Sequence, residues 1–323
     1  MQKIDTNTKC DVSIVVPFHN EQSSVDEIYG RLKAVMNDSN RTYQIIFVDD
    51  GSIDNTLSLA KKIQADDDMV IVVELRKNFG QTPALKAGID TAEGDIIITM
   101  DGDLQHCPEK IPEFLKKIDD GYDLVSGWRV SRSDNFWVRR IPSKVANWLL
   151  KLICGLPIHD FGTTFKAYRR ELLNNIEMFG ENHRFIPVLA SKVGARVCEV
   201  PIENPPRLTG KSHYGLGRVL RVLADIIFLH FFIAYLARPM FLFGFMAFFL
   251  ITAGAAIPSV MLVMFFAGRM ESFQGHQNIL LFSVLLMLMG VIFLCFGIIG
   301  EILSRIYHHS TEHKIYYIRN IYR

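Results

Sequence analysis

Two aspartates that directly follow an apolar run carry the clearest chemical signal in this sequence. Asp101 and Asp103, separated by Gly102, come directly after residues 96–100 (IIITM). Side chains two residues apart on a strand point to the same side, so the two carboxylates face one way and repel each other. Mg²⁺ and Mn²⁺ prefer oxygen ligands and bridge to phosphates. The pair therefore predicts a site for a metal ion and a diphosphate, with a solvated acidic turn as the alternative.

Two more strand-like runs end in polar turns. Pro17 and Glu21 follow the run SIVV, and Asp49 and Asp50 follow the run IIFV. A carboxylate at such a strand end can accept hydrogen bonds from a base edge or from ribose hydroxyls. The sequence contains neither of the glycine-rich phosphate loops that mark P-loop and dinucleotide-binding folds. These residues instead allow a nucleotide that is held through carboxylates and a metal ion.

The elements that position these turns alternate along the first half of the chain. Apolar runs predict strands at 12–16, 44–48, 70–75, 95–100 and 123–126. Helical patterns lie between them, at about 22–36, 54–65, 82–92 and 108–119. This rhythm predicts an α/β fold with a mostly parallel sheet and helices on both faces. Ligands bind beyond the carboxyl ends of such strands, so the three polar turns should converge on one edge.

Composition narrows the class of partner and the compartment. The net charge is +1 over 323 residues, so a nucleic acid partner is not expected. The five cysteines are scattered without a Cys-x-x-Cys pair, which argues against a zinc site or a disulfide framework and fits a reducing compartment. His106, His183 and His230 have no partner at metal-ligand spacing, which predicts structural or surface roles.

Two long uncharged windows follow the polar part of the chain. No charged residue lies between Arg238 and Arg269, and none lies between Asn278 and Glu301. Each window exceeds the ~20 apolar residues that cross a hydrocarbon core. The sequence therefore predicts two transmembrane helices within residues 238–302, with a buried hairpin of a soluble protein as the alternative.

The segments that flank the two windows predict the membrane topology. The tail at 303–323 has four Lys or Arg residues against one Glu, so the positive-inside rule keeps it in the cytoplasm. Two crossings then place the domain at 1–215 there too, in a multi-pass protein of the inner (plasma) membrane. Residues 1–10 are polar and lack the apolar core of a signal peptide.

The segment at 216–237 has a mixed character. Arg218, Arg221 and Asp225 interrupt it early, and aromatic residues follow. This pattern predicts amphipathic helices that lie in the membrane interface. The alternative is a third transmembrane helix, for which the apolar part is too short.

Taken together, the motifs resemble the family-2 inverting glycosyltransferases of the GT-A fold, which have a Rossmann-like sheet. Three segments carry the resemblance: 16–21 (VPFHNE), 49–52 (DDGS) and 101–106 (DGDLQH). Within the family they are most similar to the branch of dolichol-phosphate mannose synthases and undecaprenyl-phosphate glycosyltransferases. The similarity extends over about 12–214 and includes the paired membrane helices.

The resemblance implies roles on the donor side. Asp101 and Asp103 would bind Mg²⁺ or Mn²⁺ and the donor diphosphate, with Gln105 as a further ligand. Arg207 and Lys211 would belong to a flap that closes over the diphosphate, whereas a plain basic segment near the membrane is the alternative. Arg76 lies either at the donor or on a surface turn. The remaining donor contacts implied in this way are Pro17, Glu21, Asp49, Asp50 and Gly102.

The resemblance also implies an acceptor side. Arg129, Arg139 and Ser143 match contacts to the phosphate of the acceptor. Asp160 matches an acid beside the acceptor and, with Asp103, is the predicted catalytic residue. A phosphate monoester is largely dianionic at neutral pH, so Asp160 is expected to orient the acceptor rather than to act as an indispensable base.

The function implied is a metal-dependent polyprenyl-phosphate glycosyltransferase. It would move one sugar from a UDP- or GDP-linked donor to undecaprenyl or dolichyl phosphate at the cytoplasmic membrane face, with homo-oligomer formation left open. One alternative is a processive polysaccharide synthase, although its Gln-x-x-Arg-Trp motif is absent. Another is a catalytically silent membrane subunit of a flippase or polymer complex, which would be expected to lose the acids that remain here.

Overall fold

A computed structural model describes residues 10–130, 158–174, 176, 182–203, 239–269, 274–309 and 315–323. The chain divides into two compact units. The first comprises Met1–Gly215 together with Lys314–Arg323, and the second comprises Leu216–His313. Each unit is described by itself.

Eight strands of the described chain form one sheet in the first unit. They are β1 Val12–Phe18, β2 Tyr43–Asp49, β3 Val70–Leu75, β4 Ile96–Thr99, β5 Leu124–Arg129, β6 Lys166–Arg169, β7 Val197–Ile202 and β8 Ile318–Tyr322. Their order across the sheet is β7-β5-β6-β4-β1-β2-β3-β8. The five strands that the sequence predicts are present, and the sheet is mostly parallel as predicted.

Parallel pairing dominates the centre of the sheet. Strand β1 lies between β2 and β4, and β2 also pairs with β3, all in parallel. Strand β6 is inserted antiparallel between β4 and β5, and β5 pairs in parallel with β7. In β3 and β4 every residue is buried, as expected for strands that are covered on both faces.

Helices cover both faces of the sheet. They are α1 Val25–Asn37, α2 Thr56–Asp66, α3 Gln81–Thr91, α4 Ile111–Asp119, α5 Arg170–Asn174 and α6 Ile186–Lys192. Ile14 packs in the core with α1, α2 and α4, whereas its neighbour Val15 packs on the opposite face with α3 and α6. The pattern behind this packing is clearest in α4, whose buried residues Ile111, Phe114, Leu115 and Ile118 share one helical face.

The end of the chain completes the sheet at its β3 edge. Residues 318–322 lie in the segment that the sequence marks as a basic tail, and they form β8 antiparallel to β3. The buried carboxylate of Glu74 accepts hydrogen bonds from Arg319, Asn320 and Tyr322. Burial acts to raise the pKa of Glu74, but these bonds hold it below the ordinary value. The edge of β3 is thereby covered by a strand that is fastened through a buried acid.

The second unit contains two long apolar helices, α7 Pro239–Phe266 and α8 Gln277–His309. Each includes a 28-residue segment that is long and apolar enough to cross a membrane, and only 11% of the most apolar window is buried. That exposure argues against the core hairpin of a soluble protein. The helices pack closely at Gly254 and Gly290, where a Cβ atom would lie 2.7 and 2.5 Å from side-chain atoms of the other helix. The predicted interfacial helices at 216–237 lie outside the described residues.

Candidate active site

The carboxyl ends of β1 and β2 are joined by hydrogen bonds between their turns. Asn20 adopts a φ of 57°, in the left-handed region, and its backbone N–H donates to Ser52 Oγ at 3.0 Å. In return, Asn20 Oδ1 accepts from the backbone N–H of Ile53 at 2.9 Å. Asparagine tolerates this conformation better than most residues because its short side chain can bond locally. The two polar turns therefore form one rigid border of the site.

The predicted metal motif lies directly beyond β4, against the end of β1. A Cβ atom on Gly102 would lie 2.4 Å from a ring carbon of Phe18 and 2.9 Å from the carbonyl oxygen of Pro17, so glycine is required there. Gln81 Nε2 donates to Asp101 Oδ1 at 2.6 Å. Asp103 Oδ1 accepts the backbone N–H of Gln105 at 3.2 Å. Both carboxylates are half-buried, so they are fixed and yet accessible.

His106 helps to hold the metal motif in place through a hydrogen bond to its backbone. It is almost fully buried, and its Nδ1 accepts the backbone N–H of Asp101 at 3.1 Å. Burial lowers the pKa of the imidazole, although the charges of Asp101 and Asp103 act in the opposite direction. Its ring packs on Phe165 with a centroid distance of 5.5 Å. His106 therefore has the structural role that the sequence predicts.

The donor set at the motif fits a hard divalent cation. Asp101, Asp103 and Gln105 offer carboxylate and amide oxygens, which are the ligands that Mg²⁺ and Mn²⁺ prefer. Among the residues that the structure describes, no three His, Cys, Asp or Glu side chains come close enough to hold a metal ion by themselves. This limited set suits Mg²⁺, which is commonly bound through one or two carboxylates together with phosphates of the substrate.

The adjacent acids Asp49 and Asp50 differ in their hydrogen bonding. Asp50 Oδ1 and Oδ2 accept the backbone N–H groups of Phe79 and Gly80 at 2.7 and 2.9 Å. Asp49 Oδ2 accepts from Ser52 at 3.3 Å, but its buried Oδ1 accepts no hydrogen bond from the described residues. Burial raises the pKa of both carboxyl groups. Asp49 thus offers an unused acceptor to a ligand, whereas Asp50 anchors the chain between β3 and α3.

The other predicted donor residues lie around the same border. The backbone N–H of Glu21 donates to Thr56 Oγ1 at 2.9 Å, and the carbonyl of Pro17 lies against Gly102. Arg76 is exposed on the turn after β3. Its backbone N–H donates to the carbonyl of Tyr317 at 3.0 Å, which fastens this turn to the end of the chain. Predicted residues Arg139, Ser143, Arg207 and Lys211 lie outside the described residues.

Two predicted acceptor residues form an ion pair at the ends of β5 and the turn before β6. Arg129 Nε and Nη2 donate to the two oxygens of Asp160 at 2.6 and 3.0 Å. The carboxylate is nearly buried, and its Oδ1 also accepts the backbone N–H of Gly162 at 3.0 Å. Two-point pairing with an arginine is among the stronger hydrogen-bonding arrangements in proteins. An acid held in this way is better suited to orient an acceptor than to remove a proton.

The structure adds Glu199, which the sequence does not single out. Its Oε1 accepts the backbone N–H groups of His159 and Asp160 at 2.8 and 3.0 Å. Its Oε2 accepts from His159 Nδ1 at 2.8 Å, and the imidazole stacks on Trp128 with a centroid distance of 4.4 Å. Glu199 lies on β7, about 40 residues from the acid that it supports. Only the tertiary fold brings it to the site.

The strand register places the donor and acceptor groups at the same edge of the sheet. Lys166 of β6 is the partner of Thr99 in β4 and of Ser126 in β5. The metal motif follows Thr99, Arg129 follows Ser126, and the turn with Asp160 precedes Lys166. Because β6 runs antiparallel to both neighbours, all three segments leave the sheet on the same side.

Comparison with solved structures identifies the fold. Glucosyl-3-phosphoglycerate synthase from Mycobacterium tuberculosis, solved with Mn²⁺ and UDP-glucose, matches 68% of this chain and 79% of its own, with a TM-score of 0.53 and 20% identity. Mannosyl-3-phosphoglycerate synthase from Rubrobacter xylanophilus matches 69% and 74%, with a TM-score of 0.53 and 18% identity. At these identities the similarity shows the GT-A fold alone.

Comparison of sequences identifies the family. The family described as Glycosyl transferase family 2 matches residues 13–177. The dodecaprenyl-phosphate galacturonate synthase of Rhizobium johnstonii is 37% identical over 97% of this chain and 93% of its own length. An undecaprenyl-phosphate 4-deoxy-4-formamido-L-arabinose transferase of Pseudomonas aeruginosa is 32% identical over 97% and 90%. These similarities cover both the catalytic fold and the apolar helices, and the chain belongs to glycosyl transferase family 2.

Proposed function

We propose that this chain is a membrane-anchored inverting glycosyltransferase that moves one sugar from a nucleotide-diphosphate donor to a polyprenyl phosphate. One observation carries the proposal: the register of β4, β6 and β5 brings the Asp101–Asp103 motif and the Arg129–Asp160 pair to one edge of the sheet. A chain with a donor site and an anion site at one edge can bind both substrates at once. The similarity to polyprenyl-phosphate sugar transferases over 97% of the chain supports a lipid acceptor.

The donor is a nucleotide sugar, with UDP or GDP as the carrier. The unused Asp49 Oδ1 would accept a hydrogen bond from a ribose hydroxyl or a base edge. Asp101, Asp103 and Gln105 would hold Mg²⁺ or Mn²⁺. When bound, the ion supplies positive charge that neutralises the leaving diphosphate. Arg207 and Lys211 are proposed to close over the same phosphates.

The acceptor attacks the sugar from the opposite side. An oxygen of the polyprenyl phosphate forms a bond to the anomeric carbon while the bond to the diphosphate breaks and its electron pair leaves with the nucleotide. Inversion follows because attack and departure occur on opposite faces. Asp160 would orient the incoming phosphate, and Arg129 would share its charge between Asp160 and that phosphate, with Arg139 and Ser143 as further contacts.

The topology of the sheet supports a domain in which the segments before and after the apolar helices lie on one side of the plasma membrane. Strands β7 and β8 belong to the same sheet, although α7 and α8 lie between them in the sequence. The chain must therefore cross the membrane an even number of times between residues 202 and 318. The basic residues of the tail favour the cytoplasmic side. We place the catalytic unit there, where nucleotide sugars are available.

The test is transfer of labelled sugar to lipid by the purified full-length protein. Undecaprenyl phosphate and Mg²⁺ or Mn²⁺ would be supplied with UDP- and GDP-linked donors, beginning with galacturonate and 4-deoxy-4-formamido-L-arabinose, the sugars of the relatives. We expect one sugar per lipid, loss of transfer in Asp103→Ala and normal transfer in Asp26→Ala, which changes an exposed acid of α1. Failure to label any polyprenyl phosphate would contradict the proposal, and polymeric product would favour a processive synthase.

A further inference from the structure

A buried lysine lies beneath the site, and the roles described so far do not include it. Lys166 opens β6 and its side chain has no exposed surface. A buried amine is costly unless polar groups surround it. Lys166 Nζ donates to the backbone carbonyl of Thr163 and, at 3.3 Å, to that of His183. The lysine thus joins two segments that are 20 residues apart in the sequence, Thr163 on one side and His183 on the other.

The hydrogen bond from Lys166 to Thr163 holds the turn that carries Asp160, the predicted acceptor acid. Thr163 lies three residues after Asp160 and is buried. The same turn is fixed to β4 by Thr99 Oγ1, which donates to the carbonyl of Thr164 at 2.6 Å. It is fixed internally by the bond from Gly162 to Asp160. The amine of Lys166 is therefore one of the groups that hold the turn of Asp160.

The hydrogen bond from Lys166 to His183 leads towards the predicted metal motif at Asp101–Asp103. His183 is buried, and its Nδ1 shares a hydrogen bond of 2.7 Å with Oγ1 of the buried Thr82. Thr82 lies in the first turn of α3, next to Gln81, whose side chain donates to Asp101 at 2.6 Å. A path of contacts thus connects the metal motif to the turn of Asp160. It is buried at Thr82, His183 and Lys166 and half-buried at Gln81 and Asp101.

We propose that Lys166 is a positioning residue that sets the distance between the donor acids and the acceptor acid, through His183 and Thr82. The inference rests on the transfer reaction proposed above. In-line attack requires the two substrates to be held in register, and a misplacement of about 1 Å can reduce the rate about 10²-fold. The network provides this precision without touching either substrate.

The hydrogen bonds that carry this role are available in either protonation state of the amine. Burial lowers the pKa of the Lys166 amine to about 7, against the opposing effect of Asp160. A neutral amine still has two N–H donors for the two carbonyls. Lys166→Met removes both donors while the side chain keeps a similar length and apolar surface. Thr82→Val removes the hydroxyl at nearly constant shape, and Thr82→Ser retains it.

The experiment compares these variants in the full-length protein, with Lys116→Met of the exposed face of α4 as control. Nucleotide affinity would be measured by calorimetry with Mn²⁺, and kcat by transfer to undecaprenyl phosphate. We expect Lys166→Met to lower kcat about 10²-fold with wild-type nucleotide affinity. Thr82→Val should lower kcat about tenfold, whereas Thr82→Ser should keep the wild-type kcat.

Several outcomes would distinguish a failure of the positioning role from a failure of the proposed function. Wild-type kcat in a folded Lys166→Met protein, or parallel loss of nucleotide affinity and kcat, would overturn the positioning role. If Lys166→Met does not fold, the Thr82 pair decides: equal kcat in Thr82→Val and Thr82→Ser overturns it, and rescue by Ser supports it. A wild-type protein that binds nucleotide but transfers no sugar would instead refute the proposed function.

Discussion

The proposed donor half of the site, around Asp49 and Asp101–Asp103, differs in construction from the proposed acceptor half, around Arg129 and Asp160. On the donor side, acids lie at the end of β2 and just beyond β4, and one of their oxygens, the buried Oδ1 of Asp49, accepts no hydrogen bond from the described residues. On the acceptor side, the antiparallel strand β6 brings Asp160 against Arg129, and each neutralises the other. One half holds an unused acceptor for a ligand, whereas in the other the described acid and arginine are paired before a ligand arrives.

This difference fits the ligands proposed for each half. A sugar nucleotide with its metal ion brings hydroxyl donors and positive charge, which the carboxylates of Asp49, Asp101 and Asp103 can receive. A polyprenyl phosphate brings only negative charge, which an unpaired Asp160 would repel. Pairing with Arg129 removes that repulsion and holds the acid in place. The phosphate would then share the guanidinium with Asp160 rather than replace it.

The largest expected effect tests the rigidity of the donor half. In Gly102→Ala the new Cβ would lie 2.4 Å from the Phe18 ring, so Asp101 and Asp103 must move. We expect transfer to fall at least about 10²-fold. The matched control is Gly30→Ala in α1, where a Cβ meets nothing within 4 Å and should stabilise the helix by about 0.5–1 kcal/mol. Wild-type transfer in Gly102→Ala would show that the motif is not fixed by this contact.

A second change tests the support of the acceptor half. Glu199→Ala removes the acceptor of two backbone N–H groups, at His159 and Asp160. The N–H of Asp160 is partly buried, and an unsatisfied buried N–H costs about 1–3 kcal/mol, so we expect about a tenfold or greater loss of kcat with unchanged nucleotide affinity. Glu199→Gln keeps one acceptor oxygen for both groups and should retain most activity. Equal transfer rates in the Ala and Gln variants would contradict the assignment of Glu199.

The neighbouring acids Asp49 and Asp50 sharpen the comparison within the donor half. Asp50→Asn replaces one of the two oxygens that accept from Phe79 and Gly80, so we expect a loss of about 1–3 kcal/mol in stability. Asp49→Asn removes a buried charge with an unused oxygen and should leave thermal stability unchanged or higher. Thermal unfolding of the two variants in detergent measures both effects. Equal destabilisation by Asp49→Asn and Asp50→Asn would contradict the different roles assigned to the two acids.

A further expected effect is a dependence of stability on pH at the junction of the two halves. The pKa of Lys166 is about 7 in the fold against 10.5 as its ordinary value. Between these values the unfolded chain binds more protons, so stability from this group rises as the pH increases from 7 towards 10. The difference in melting temperature between wild type and Lys166→Met should therefore grow in favour of wild type over this range. A constant difference would contradict the shifted pKa.

The contrast also explains what could be predicted from the sequence. The donor half can be predicted because each acid ends or closely follows a buried strand, and the strands at 12–18, 43–49 and 96–99 each contain an apolar run. The acceptor half depends on β6, a strand of four residues, and on a carboxylate from β7. Such contacts join distant parts of the chain, so no local sequence pattern predicts them.

Two further features could not be predicted from local sequence patterns for the same reason. Asp49 and Asp50 are adjacent acids at one strand end, and only their partners in the fold distinguish a ligand site from an anchor. The strand β8 follows two apolar helices and pairs with β3, from which it is separated by more than 240 residues. Which side chains carry chemistry at the donor edge stays a prediction from the sequence, and the structure supplies the groups that hold them.

The most direct test of the division into two halves measures binding and transfer in one variant from each. Asp49→Asn and Asp160→Asn would be compared in full-length protein for nucleotide affinity with Mn²⁺ and for transfer to undecaprenyl phosphate. We expect Asp49→Asn to weaken nucleotide binding about tenfold, as for the loss of one hydrogen bond to a charged group. Asp160→Asn should bind nucleotide as wild type does and lose most transfer. Wild-type nucleotide affinity in Asp49→Asn together with impaired nucleotide binding in Asp160→Asn would contradict the account.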